Sequence, residues 1–129
     1  MDIEKQRERI KKNLEKSKLV DRSKCEEIWI RKEDSQAMCA LINGDLGWLM
    51  YLPRDGGAGF SSRNLDYQGP DDAVIEYFLD NGQLDEYPAS WALPVGDVRR
   101  AIREFDAEGK PPTWVSWHND SGDGTEISG

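Results

Sequence analysis

The chain has 129 residues, of which 33% are charged and 37% are apolar, and its formal net charge is −8. That length and composition are typical of one soluble domain that buries an ordinary core. No apolar run approaches the roughly 20 residues that span a membrane. The charged N-terminus also lacks the apolar segment of a secretory signal, so we expect a cytoplasmic protein without membrane contacts.

The charge is unevenly distributed along the chain. Residues 1–24 carry 9 basic and 5 acidic side chains, a net of +4, and residues 25–129 carry 8 basic and 20 acidic side chains, a net of −12. An acidic body repels nucleic acid and complements a basic protein surface. The same charge also serves solubility, so charge alone leaves both interpretations open.

The thiols and the single histidine offer little for metal or disulfide chemistry. Cys25 and Cys39 are too few for a disulfide framework, and their spacing fits no metal motif. His118 is the only imidazole in the chain. We therefore expect reduced thiols, no metal and no cofactor.

The first predicted element is a basic helix over residues 1–24. Residues 2–19 are rich in Glu, Lys, Arg and Gln, which favour helices. Ile3, Ile10 and Leu14 form only a thin apolar stripe, too narrow for strong membrane binding. This pattern predicts an exposed helix.

Short strands are predicted next, over residues 28–31, 38–42 and 46–52. Asn43-Gly44 between the last two runs favours a tight hairpin. Both faces of residues 46–52 are apolar, which predicts a central strand covered on two sides. The glycine-rich residues 53–59 could form a phosphate-binding loop, but no Gly-Lys-Ser/Thr follows, so a hairpin loop is favoured.

Further strands are predicted over residues 60–62, 74–79 and 84–87. Residues 80–83 favour a second hairpin, and Pro88 limits its return strand. In residues 74–79, Ile75, Tyr77 and Leu79 share one face. Together these runs predict a meandering, mostly antiparallel sheet.

An amphipathic helix is predicted at about residues 94–108. Val95, Val98, Ala101, Ile102 and Phe105 recur three or four positions apart, and Gly109 suits the C-terminal cap. A strand follows over residues 113–117. The predicted fold is α+β, with this helix packed on one face of the sheet, plus the N-terminal helix. The predicted organisation is residues 1–24 as a helix, 25–118 as one α+β domain and 119–129 as a disordered tail.

Catalytic chemistry is not favoured by the sequence. His118 precedes the predicted tail, which is a poor place for a positioned base. Carboxylates are plentiful, but no pair is singled out for glycosidase-type catalysis. We expect no enzymatic activity, and a small hydrolase using two carboxylates remains an alternative.

Aromatic residues indicate a binding surface instead. Tyr77, Trp114 and Trp117 are predicted core residues. Tyr67, Tyr87 and Trp91 lie beside acidic turns, where rings within a carboxylate rim suit protein binding, although Trp91 also fits the core.

The order of motifs from Val74 to Trp117 resembles a known family. The matching stretches are residues 77–83, Glu86-Tyr87-Pro88, Leu93-Pro94, residues 98–105, residues 109–112 and Trp117, with residues 56–60 fitting an earlier hairpin. They resemble small immunity proteins of bacterial polymorphic toxin systems, related to the partner of the double-stranded-DNA cytidine deaminase toxin. Residues 1–24 have no counterpart in this pattern.

The resemblance implies an inhibitor that blocks a cognate toxin, with no catalytic residues. We expect a monomer or weak dimer when the protein is free, and a toxin domain as its partner. A regulatory or scaffold domain that binds another basic protein is the alternative. The predicted toxin-binding residues are Asp55, Tyr67, Asp71, Asp72, Glu76, Asp85, Glu86, Tyr87 and Trp91.

Overall fold

A computed structural model describes residues 21–53 and 59–120. The bounds of its strands and its one described α-helix are β1 Cys25–Arg31, β2 Ala37–Asn43, β3 Leu46–Leu52, β4 Phe60–Arg63, β5 Val74–Phe78, β6 Leu84–Pro88, β7 Leu93–Pro94, α1 Val95–Glu108 and β8 Ser116–Asn119. Short 3₁₀ turns span Arg22–Lys24 and Ala89–Trp91. Residues 1–20, which hold most of the predicted N-terminal helix, lie outside the described residues.

The main sheet is antiparallel and has six strands in the described part of the chain. Its order is β1-β2-β3-β4-β8, and the short β7 pairs with the start of β3. The predicted hairpin at Asn43-Gly44 joins β2 to β3, with Asn43 opposite Leu46 and Gly44 in the left-handed region at φ 61°. The prediction of a mostly antiparallel sheet with one helix on it is confirmed.

Helix α1 covers one face of this sheet. Val98, Ala101, Ile102 and Phe105 are buried against it, as their spacing predicts. The helix ends where predicted, because Gly109 takes the left-handed conformation at φ 70° and its N–H bonds to the Phe105 carbonyl. The buried helix-side core consists of Met38, Ala40, Ile42, Leu49, Tyr51, Phe60, Leu93, Val98, Ala101, Ile102, Phe105 and Val115.

The hairpin of β5 and β6 forms a separate two-stranded sheet, so its predicted place in the meander is wrong. Ile75, Tyr77 and Leu79 do share one face, and they pack on Cys39, Leu41 and Trp48 of the main sheet. The physical reason lies in β2, whose residues 37–42 are buried on both faces. Because α1 covers only one of these faces, a second apolar layer must cover the other.

The C-terminal strand differs in position from its prediction. Residues 113–115 form a turn, and β8 begins at Ser116. Asn119 pairs with Phe60, and the Asp120 N–H bonds to the Gly59 carbonyl, so the first two residues of the predicted tail belong to this strand and its turn. Residues 121–129 lie outside the described residues.

Both tryptophans predicted for the core are only partly buried. Tyr77 is fully buried, as predicted, whereas Trp114 and Trp117 pack half-buried against the helix-side core. Their indole N–H groups bond to the Glu104 carboxylate and to the Pro112 carbonyl. The polar edge of each indole therefore stays near the surface, as is common for this side chain.

Candidate interaction surface

Residues 64–73 form a loop that is closed at its base. It connects β4 to β5, and both of its ends bond to the 3₁₀ turn Ala89–Trp91. The Asn64 N–H donates to the Ser90 carbonyl at 2.8 Å, and the Ala89 N–H donates to the Ala73 carbonyl at 2.8 Å. A compact loop whose ends lie close together is a common carrier of functional residues.

Contacts inside this loop hold its backbone in place. The Asn64 side chain accepts a bond from the Asp66 N–H at 3.0 Å, which is an Asx turn. The Tyr67 hydroxyl donates to the Pro70 carbonyl at 2.8 Å. A Cβ at Gly69 would lie 2.4 Å from the Tyr67 hydroxyl oxygen, so the ring closely covers this glycine. The loop is therefore ordered before any partner arrives.

The β5–β6 hairpin has an outer side that is acidic and an inner side that is buried. Glu76 and Glu86 occupy directly opposite positions on the outer side, between the pairs Val74–Pro88 and Phe78–Leu84. Glu86 is exposed and Glu76 is half-buried. Both side chains make contacts within the protein, and one Glu76 carboxylate oxygen is buried, so Glu86 is the more accessible of the two charges.

The aromatic side chains on the inner side form a stack. The Tyr87 ring lies 4.3 Å from the Trp48 ring with an interplanar angle of 8°, and 6.1 Å from the Trp91 ring. The Arg63 guanidinium lies 3.8 Å from the centroid of Trp91 and continues the stack. Burial raises the pKa of the Tyr87 phenol, and Asp85 beside it acts in the same direction.

Polar contacts fasten the hairpin to the main sheet. Glu27 accepts bonds from the Trp29 indole at 2.7 Å and from the Asp80 N–H at 2.9 Å. These two bonds hold the pKa of the Glu27 carboxyl below its ordinary value. The Asn43 amide donates to the Glu76 carbonyl at 2.8 Å. The hairpin is thus a layer fixed on the main sheet, and the Arg22 guanidinium lies over the Phe78 ring on its outer side.

The comparison with protein families decides the class of this chain. The profile of the family described as Immunity protein Imm1 matches residues 7–119. The chain belongs to the Imm1 family. Comparison with curated proteins finds no match. Immunity proteins neutralise toxins and are generally non-enzymatic, so the family supports a toxin protein as the partner.

The family match also changes the status of the N-terminal segment. Residues 1–24 have no counterpart in the motif pattern of residues 74–117, whereas the Imm1 match begins at residue 7. Residues 7–24 of this basic segment therefore lie within the family match.

The predicted toxin-binding residues of this Imm1 protein divide into three groups. Asp71, Asp72 and Glu86 are exposed, and Tyr67, Glu76, Asp85, Tyr87 and Trp91 are half-buried. Asp55 lies outside the described residues. Tyr87 was expected at the surface, and Trp91 either there or in the core, but their main contacts are with Trp48 and Arg63 inside the protein. These two rings therefore support the surface from beneath.

Two neighbouring residues were missed at the sequence level. Leu65 is 81% exposed, and Asp66 beside it is exposed as well. An apolar residue within a polar, turn-rich stretch is a signal that could have singled out Leu65.

The described residues contain no arrangement typical of a metal centre. Residues 21–53 and 59–120 hold no group of three His, Cys, Asp or Glu side chains placed to bind a metal ion. His118 lies exposed in β8, with its Nε2 atom 3.9 Å from Asp120. In the same part of the chain, no helix combines the length and hydrophobicity needed to cross a membrane.

Proposed function

We propose that this Imm1 protein neutralises its toxin by covering the toxin's active-site entrance with the acidic surface. We define the acidic surface as residues 64–73 together with the outer side of β5 and β6. The observation that carries the proposal is the ordered loop, which presents Asp66, Asp71 and Asp72 to solvent. Because the loop is already ordered, binding costs little conformational entropy.

The charges of this loop are available to a partner. In the described part of the chain, the carboxylates of Asp66, Asp71 and Asp72 form no ion pair. All three residues are exposed. A basic partner would gain these three attractions without first breaking existing ion pairs. Complementary charge also accelerates association, which suits an inhibitor that must capture its toxin quickly.

We further propose that the toxin is a nucleic-acid deaminase. Such an enzyme must admit a polyanion to its pocket, and its entrance is therefore expected to be basic. An acidic protein competes for that entrance by the same electrostatics. The sequence resemblance to the partner of a double-stranded-DNA cytidine deaminase toxin supports this substrate class. Neutralisation would take place in the cytoplasm of the cell that makes both proteins.

The proposed contact residues have different roles. Asp71, Asp72 and Glu86 would face Lys and Arg side chains of the toxin, with Asp55 as a further acidic contact. Glu76, whose carboxylate is partly buried, and Asp85, which lies opposite Tyr77 on the inner side, would add negative charge from the edge of the surface. Tyr67 would add apolar contact area at the edge of the surface, and Tyr87 and Trp91 would hold the hairpin and the loop in place from beneath it. The free protein would be a monomer or weak dimer.

The proposal is tested by co-expressing this protein with the C-terminal toxin domain of the neighbouring gene. We expect growth to be restored and deamination of double-stranded DNA in the cell extract to be suppressed. The double substitution Asp71→Asn and Asp72→Asn should weaken protection and lower the affinity at least about tenfold. Glu33→Gln with Glu108→Gln removes the same charge at the other end of α1 and should leave protection intact.

Each outcome bears on a separate part of the proposal. Persistent toxicity with abundant folded protein would overturn neutralisation of that toxin. Protection without any deaminase activity in the toxin would overturn the substrate class alone. Equal protection by both double variants would overturn the role of the acidic surface.

A further inference from the structure

A surface cleft lies beside the 64–73 loop and is formed without any residue of the hairpin. Its volume is about 370 Å³, and its lining includes Leu65, Asp66, Leu93, Pro94, Asp97 and Trp114. We call this site the Leu65 cleft. It lies where the loop, the start of α1 and the turn before β8 meet.

The exposure of Leu65 is the first observation that points to a ligand. Its exposed fraction of 81% exceeds that of Val74 and Leu46, the other exposed large apolar side chains of the described residues. The bonds at Asn64 and Asp66 hold the backbone on either side of it. An ordered loop therefore keeps an apolar side chain in water, and a partner that covered it would gain from its burial.

The walls of the cleft are apolar and fixed. Leu93 and Val115 are core residues whose surfaces reach its floor. The Trp114 ring is held by a 2.7 Å bond from its indole N–H to Glu104, and Arg100 lies 4.3 Å from its centroid. The aliphatic stem of a long side chain could therefore lie in the cleft against a wall that does not have to move.

The polar groups of the cleft have a net negative charge. Asp66 and Asp97 contribute carboxylates that pair with no cation in the described part of the chain. Arg63 also lines the cleft, but its Nη1 atom donates to Ser61 at 2.9 Å and to the Ser62 carbonyl at 2.8 Å. Its guanidinium also lies over the Trp91 ring, so it is held by the protein's own groups.

We propose that the Leu65 cleft receives an arginine side chain of the toxin, an inference that rests on the proposed function. The arginine stem would lie along the apolar wall, and its guanidinium would bond to the carboxylates of Asp66 and Asp97. Leu65 would contact an apolar residue next to that arginine. Arginine fits better than lysine, because its planar guanidinium offers five N–H donors to the oxygens of two carboxylates and is more weakly hydrated than an ammonium group.

Calorimetric titration of catalytically inactive toxin domain into variants of this protein tests the proposal. Leu65→Ala and Asp97→Asn should each weaken binding about tenfold or more, because each removes a contact that is buried when the toxin binds. Leu65→Met keeps a similar apolar volume and should bind within about threefold of the original protein. Glu108→Gln removes a charge at the far end of the same helix and should bind unchanged.

A double-mutant cycle identifies the ligand as arginine. Each arginine of the toxin's contact surface is replaced by alanine and titrated against the original protein and Asp97→Asn. For one of these arginines, replacement should weaken binding to the original protein strongly. The fold-loss of affinity caused by the same replacement should be at least about tenfold smaller when it is measured with Asp97→Asn. The urea stability of Asp97→Asn is measured in parallel, because the Asp97 charge also stabilises the N-terminus of the helix.

The results separate this inference from the proposed function. If the original protein binds the toxin and both Leu65→Ala and Asp97→Asn bind equally well, the cleft is not a contact and neutralisation stands. If both variants weaken binding but every cycle is additive, the cleft is a contact without the proposed arginine, and the inference is wrong. If the original protein does not bind the toxin domain, both proposals fall.

Discussion

At the scale of single residues, a buried side chain bonds to backbone groups of neighbouring elements. Ser62 is fully buried, and its hydroxyl accepts a bond from the Leu49 N–H at 3.1 Å and donates to the Trp91 carbonyl at 2.9 Å. It thereby joins β3, β4 and the 3₁₀ turn at the base of the 64–73 loop. A buried serine is rare unless both its donor and acceptor are used. Its role depends on partners distant in sequence, so no local pattern predicts it.

Cys39 carries a pH prediction at the same scale. Its side chain is 3% exposed and lies in the core between the main sheet and the β5–β6 hairpin. Burial raises the pKa of its thiol from 9.0 to about 12. Above pH 9 the unfolded chain loses the thiol proton while the folded chain keeps it, so the free energy of unfolding falls as pH rises towards 12. The loss that Cys39 adds by a pH of about 10.5 should be roughly 2 kcal/mol.

Urea unfolding at pH values of about 8 and 10.5, with a reductant present, measures this effect. Cys39→Ala should lose about 2 kcal/mol less than the original protein between the two pH values, whatever the substitution costs at pH 8. Tyr77, whose phenol pKa is also raised by burial, contributes equally to both proteins. Equal losses in the two proteins would mean that the Cys39 thiol does not stay protonated in the fold.

At the scale of elements, one glycine lets the helix approach the sheet. Gly47 lies in β3 beneath α1. A Cβ there would lie 2.9 Å from the Leu41 carbonyl oxygen and 3.0 Å from the Val98 side chain. The alternation of residues along a strand cannot reveal how close a helix comes to Gly47. The close packing of α1 on β3 therefore requires a residue without a side chain at position 47.

Gly47→Ala should lower the free energy of unfolding by about 1–3 kcal/mol, because the added methyl forces the helix or a strand to move. Gly96→Ala is the matched control. Its Cβ would meet nothing within 4 Å, so alanine should stabilise α1 by about 0.5–1 kcal/mol through its better helix propensity. Urea unfolding measures both variants. A Gly47→Ala protein as stable as the original would show that the two layers can separate without cost.

The hairpin shows how far a local pattern reaches at this scale. The alternation in residues 74–79 correctly assigned Ile75, Tyr77 and Leu79 to one face. It did not show whether that face adds to the edge of the sheet or covers it. The answer depends on β2, which is apolar on both faces, and on α1, which covers only one of them.

At the scale of the whole molecule, net charge governs how the partner is captured. Residues 25–129 carry a net charge of −12, and exposed acids of the loop and hairpin lie within that body. Long-range attraction raises the rate of encounter with a basic partner and is screened within about 10 Å at 0.1 M salt. The charge should therefore act mainly on association and less on dissociation.

Stopped-flow binding to the toxin domain at increasing salt tests this expectation. The association rate constant should fall about tenfold or more between roughly 20 and 500 mM NaCl, while the dissociation rate constant changes much less. Asp71→Asn with Asp72→Asn should flatten the salt dependence more than Glu33→Gln with Glu108→Gln. An association rate constant that does not change with salt concentration would exclude electrostatic steering.

The sequence by itself determined the local structure and the charge of this protein. The spacing of Val98, Ala101, Ile102 and Phe105 fixed the buried face of α1, because helical periodicity is a property of neighbouring residues. Gly109 fixed the end of that helix for the same reason. The tertiary structure decided that the hairpin covers the sheet, that Tyr87 and Trp91 stack beneath the surface, and that Leu65 lies beside a cleft with Asp97. These relations join residues far apart in the chain, and packing between layers, which no local pattern encodes, brings them together.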